Sequence, residues 1–73
     1  MEITTEFITY HRSGKDLHLR TTSQFIFISK EDSDMIQLAV SLQRGQKIRV
    51  VGEQEMSSTI SAMVLKASTL ELV

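Results

Sequence analysis

The chain has no cysteine, no proline and no tryptophan, three glycines, and among aromatics one tyrosine and three phenylalanines. Without cysteine there is neither a disulfide framework nor a thiolate metal site, and the absence fits a reducing compartment. No apolar run exceeds four residues, too short for a membrane-spanning helix. The opening MEITTEFITY is acidic and polar, without the basic region and apolar block of a secretory signal; a cytoplasmic location is expected. The formal net charge of −1 argues on its own against a strong nucleic-acid binder. At 73 residues the expectation is a single domain over 1–73 with a modest core, for which oligomerisation is the usual remaining staple.

The charge that is present is unevenly spread. Between His11 and Arg20 lie Arg12, Lys15, Arg20, two histidines and a single acid, Asp16; between Arg44 and Arg49 lie Arg44, Lys47 and Arg49 with no acid. The acids gather elsewhere, at Glu31, Asp32, Asp34, Glu53, Glu55 and Glu71. Such segregation can give a neutral protein one basic face; scattered, solvated charge accounts for the counts equally well.

Side-chain periodicity reads mainly as strands. Residues 2–12 alternate, with Ile3, Thr5, Phe7 and Thr9 on one face and Ile8 and Tyr10 on the other, all residue types that suit a half-buried strand. Arg12 to Asp16 carries a hairpin signal around Gly14. Leu17 and Leu19 then alternate with His18 and Arg20, and Gln24 to Ser29 places phenylalanines and isoleucines on opposite faces. The run from Met35 to Leu42 is too dense for clean alternation and suits a helix over 33–43, with Asp32 or Ser33 as cap, Asp34 in the first turn and Gly45 as C′ residue; a buried strand is the competing reading. A strand from Lys47 stops at Gly52, with Ile48 and Val50 on one face and Lys47, Arg49 and Val51 on the other. The polar stretch Gln54–Thr59 reads as a loop. Ile60 to Leu65 and Thr69 to Val73 complete a last strand, bent near Lys66-Ala67. A short helix between the third and fourth strands of a small five-stranded β-barrel is the arrangement of the oligonucleotide-binding (OB) fold.

The segments SQFIFI, DSDMIQLAVSLQRG and QKIRVVGE, in that order, resemble the bacterial single-stranded-DNA-binding protein family. Its pattern is a T-x-[FW] strand, an acidic turn, a helix ending in L-x-K-G and a strand ending in glycine, with Arg44 here in place of the lysine. FITYHR, from Phe7 to Arg12, resembles the family's preceding strand, and MVLKASTLELV, from Met63 to Val73, is similar to the dimeric primosomal replication members of this fold. The likeness covers most of the chain. It implies single-stranded DNA as ligand, with a base stacked on the aromatic at Phe25, a role in DNA replication or restart, and a homodimer. If Phe7–Arg12 matches the family's second strand, little chain remains for the first; the barrel is then incomplete, with an open edge that invites a second copy. Alternatively residues 2–12 are the first strand and the next two are short. The family's binding strands are also richer in tryptophan.

Phe25 and Phe27 are candidate stacking platforms, since bases stack on aromatics for about 1–3 kcal/mol each without regard to sequence. The bland alternative places them in the core or a dimer interface, with Ile26 and Ile28 outward. Tyr10 is a candidate base or ribose contact. Arg12, Lys15 and Arg20 around one hairpin, and Lys47 and Arg49 on a later strand, are candidate phosphate contacts, or else ordinary surface cations. His11 and His18, seven apart and flanking the turn, are expected to face one another across the hairpin, but two ligands do not make a zinc site. No nucleophile–base pair or glycine-rich phosphate loop appears, so no enzyme, metal or cofactor is implied. Met35, Met56 and Met63 read as core or loop fillers. The expected function is non-enzymatic binding of single-stranded DNA or RNA. The alternative is a protein-interaction OB module that dimerises or docks on a replication protein; a barrel binding a peptide or saccharide ranks lower.

Overall fold

A computed structural model of the chain describes residues 1–58 and 61–73. Its elements are β1 (Glu2–Ser13), β2 (Asp16–Thr21), β3 (Phe25–Ile28), helix α1 (Ser33–Val40), β4 (Lys47–Ser57) and β5 (Ala62–Leu72). β1 pairs with β2 and β4, β2 with β3, β3 in parallel with β5, and β5 with β4, so the sheet closes in the order β1-β2-β3-β5-β4. This is a small OB-like barrel with one short helix between its third and fourth strands. Residues 2–13 are its first strand, so the barrel is not missing one. Among the described residues, open edge remains where strands outrun their partners: Thr9–Ser13 pairs with β2 alone, Glu53–Ser57 with β5 alone, and Glu2–Thr5 and Thr69–Leu72 with β4 alone. Among the described residues no helix is long and apolar enough to cross a membrane.

Strand alternation fills the barrel. Leu17 and Leu19 of β2, Ile26 and Ile28 of β3, Ile48 and Val50 of β4 and Leu65 of β5 are fully buried in one cluster. Phe7, Ala67 and Leu70 join it, as do Ala39 of the helix and Leu42 just beyond it. Met35, Ile36, Leu38 and Val40 pack against the cluster from α1, which decides for helix over buried strand. The β1–β2 hairpin turns at Gly14, whose φ of +63° suits the first position of a type II′ turn.

Four sequence expectations need correction. First, α1 ends at Val40, not at residue 43. The Ser41 backbone N–H and hydroxyl both donate to the Leu38 carbonyl, at 3.1 and 2.7 Å, a local bond that competes with helix continuation. Gly45 (φ +94°) is therefore not the C′ residue; its N–H donates to Phe7 O at 2.8 Å and leads the chain alongside β1. At the other end Asp32 occupies the N-cap position, but its side chain makes no capping bond.

Second, β4 does not stop at Gly52, and Gln54–Ser57 is strand, paired with β5 through Ser57↔Ala62. This half of the hairpin outruns β1, so most of its side chains are exposed on both faces, and a wet strand has the composition of a loop. Thr59 and Ile60, expected to end that loop and start the last strand, lie outside the described residues. Gly52 instead marks a close approach: a Cβ there would lie 2.0 Å from the Lys66 carbonyl oxygen, beside a register shift between Val51 and Gly52. Third, β1 carries an irregularity between Phe7 and Thr9. Phe7 pairs with Thr21 and Thr9 with Arg20, so one extra residue reverses the alternation beyond it. Thr9 leaves the face of Phe7, and Tyr10 joins the row of Leu19. Fourth, Met56 and Met63 fill neither core nor loop; they are exposed and opposite one another on β4 and β5.

Candidate nucleic-acid interface

Because Ile26 and Ile28 point into the barrel, Phe25 and Phe27 point out of it. Phe25 is 36% exposed, Phe27 is half-buried, and neither belongs to the core cluster. The arrangement with phenylalanines in the core and isoleucines outside is excluded. Pairing registers then define two rows across the outer face, since directly opposed residues share a face. One runs Thr9, Arg20, Phe25, Val64, Glu55; the other runs His11, His18, Phe27, Lys66, Glu53. Each row carries a cation or histidine on β2, crosses an aromatic on β3 and ends on an acid of β4. Arg20, Phe25, Thr9, Tyr10, His11 and His18 line a groove of about 240 Å³.

His18 sits at the centre of this face and is 3% exposed. The Phe27 ring meets it edge-on, with centroids 5.3 Å apart and planes at 62°. Among the described residues, neither Nδ1 nor Nε2 has a hydrogen-bond partner. Burial lowers the imidazole pKa below its ordinary 6.5; the facing His11 lowers it further, and Asp16 acts weakly in the opposite direction. His11 and His18 do oppose each other across the hairpin, but among the described residues no third His, Asp or Glu joins them in a possible metal site.

The expected contact residues divide. Arg20, Phe25 and Phe27 share the outer face of β2 and β3, and Tyr10 borders the groove from the row of Leu19 and Ile26. Arg12 and Lys15 are exposed on the adjoining hairpin. Lys47 and Arg49 stand apart: Arg49 is six residues from Glu55 along β4, roughly 20 Å of strand. Arg49 is hydrogen-bonded and ion-paired to Glu71 on β5, which raises its pKa. Lys47 opposes Glu6 and lines a separate groove of about 210 Å³ with Thr4, Thr5, Glu6 and Thr22. The larger groove near the start of α1, about 470 Å³, is lined by Glu31, Asp32 and Asp34, the wrong sign for a polyanion.

Sequence reasoning missed Lys66 beside Phe27 and the two glutamates that end the rows. Their neighbours come from the parallel β3–β5 pairing and the long β4–β5 hairpin, and no local pattern carries that register. No protein-family model, curated protein or solved structure significantly matches the chain.

Proposed function

We propose that the protein is a non-enzymatic module that binds single-stranded nucleic acid, DNA or RNA, in the cytoplasm. The observation that carries this reading is the outward display of Phe25 and Phe27 on β3, next to Arg20 and Lys66. Bases stack on the two rings, which stand about 7 Å apart along the strand. Arg20, Lys66 and the hairpin cations Arg12 and Lys15 meet the phosphates, so binding weakens with salt. Glu53 and Glu55 repel phosphate and bound the track on the β4 side. The resemblance to single-stranded-DNA-binding and primosomal proteins supports a place in DNA replication or restart, with a homodimer as the working assembly.

Anisotropy of a labelled oligo-dT of about thirty bases tests this, at low and moderate salt, with Phe25→Ala/Arg20→Ala alongside. Micromolar or tighter binding that falls with salt and in the variant is expected. No binding at low salt would refute it. A second reading, docking on a replication protein, is favoured by Met56 and Met63, 66% and 48% exposed and opposite one another. It predicts that Met56→Ser/Met63→Ser abolishes partner capture while oligo-dT binding is absent throughout.

A further inference from the structure

A strand-binding face built from stacking and phosphate contacts alone would be indifferent to sequence. The groove beside Phe25 is lined by a residue neither contact uses: His18, whose imidazole is almost wholly buried, with both nitrogens closed to solvent and, among the described residues, unpartnered. Leaving buried polar atoms unsatisfied is costly, and native proteins rarely tolerate it without a reason. A hydrophobic residue at position 18 would pack against Phe27 without that cost. Resting on the single-strand reading, we propose that the groove takes one unpaired nucleobase, and that His18 hydrogen-bonds to its edge and makes the module discriminate between bases at that position.

The chemistry of the groove selects this ligand. A neutral imidazole presents one N–H donor and one bare acceptor nitrogen. A phosphate offers acceptors only and leaves the bare nitrogen unmatched, whereas base edges mix donors and acceptors. The volume of about 240 Å³ lies below the ~300–1,000 Å³ of sites for drug-sized ligands and suits a single planar ring system. Phe25 at the rim supplies the stacking surface, and Arg20 and His11, lining the same groove, suit the flanking phosphates. His18 thus acts as a specificity residue on a face whose other contacts are sequence-tolerant.

The test compares fifteen-base oligo-dT, oligo-dC and oligo-dA at fixed salt for the wild type, His18→Leu and His18→Gln. One hydrogen bond is worth about 0.5–1.5 kcal/mol, so His18→Leu is expected to change the affinity ratios among the three by about two- to twelvefold. The salt dependence should be unchanged, and His18→Gln, which keeps a donor and an acceptor, should restore part of the ratio. A uniform change across all three oligonucleotides would overturn the proposal and leave His18 as a packing residue. The ¹⁵N resonances of the wild-type His18 ring give a second reading that needs no variant: they should move on addition of the preferred oligonucleotide, and unmoved resonances at saturation would also overturn it. Absence of binding to any of the three would instead sink the single-strand reading, and this inference with it.

Discussion

Two outer faces of the barrel use the same residue types in different ways. On the β1–β4–β5 side, Arg49 is held by Glu71, and Lys47 stands opposite Glu6. On the β2–β3 side, Arg20 lies between Thr9 and Phe25 and, among the described residues, forms no ion pair. Both arginines are exposed, and both come from stretches that look basic in the sequence. What separates them is the cross-strand partner, an acid in one case and an aromatic in the other. A count of cations therefore says less about ligand binding than the register that gives each cation its neighbour.

The sharpest way to break this contrast is on β3, where adjacent residues face opposite ways. Ile26→Ala should cost about 2–5 kcal/mol of stability, as for a fully buried aliphatic side chain, measured by urea unfolding. Phe25→Ala should cost less than half as much stability and weaken oligo-dT binding by about 1–3 kcal/mol. Equal losses of stability in the two variants would mean that Phe25 serves the core, and the β2–β3 face would lose its claim as a ligand surface.

The alternation itself was legible in FIFI, but which pair faces inward was not: the sequence leaves both ways round open, and the structure puts Ile26 and Ile28 inside. The element order and helix were legible too, as was the hairpin at Gly14. The site was harder to read. The irregularity after Phe7 shifts Tyr10 by one face, and a single inserted residue leaves no mark in a run where every side chain suits a strand. Arg49 looked free because Glu71, its partner, lies on a strand whose pairing is non-local. The wet half of β4 reads as a loop because solvent on both sides removes the alternation that marks a strand. Legibility fails here wherever a residue's role depends on a partner distant in sequence.

A finer test separates the two arginines by salt. Each phosphate contact on a single strand contributes about 0.7 to the slope of log affinity against log salt. Arg20→Ala should lower that slope by about this amount, with weaker binding to every oligonucleotide. Arg49→Ala should leave both the slope and the low-salt affinity unchanged, because Glu71 already occupies its guanidinium. A slope change for Arg49 similar to that for Arg20 would show that the ligand displaces Glu71 and that the two faces act together.

The smallest expected effect concerns protons. The β2–β3 face buries a titratable group, His18, whereas Arg49 on the other face holds its charge throughout. The His18 pKa is lowered in the folded protein, first by burial and then by His11, so below about 6.5 the unfolded chain takes up a proton that the folded one resists. Stability should thus be intact above the unfolded value and decline as pH falls through it, with a ceiling for one proton of about 1.4 kcal/mol per pH unit. Urea unfolding at pH 7.5 and 5.5 checks this, with His18→Leu as reference. The variant removes the titrating group and the two unpartnered nitrogens together. Its loss of stability on acidification should be smaller than the wild type's, and at pH 5.5 it should be the more stable protein. Parallel pH profiles would mean that His18 is protonated as readily in the barrel as outside it. Its nitrogens would then be reached by solvent rather than held in reserve on the aromatic face.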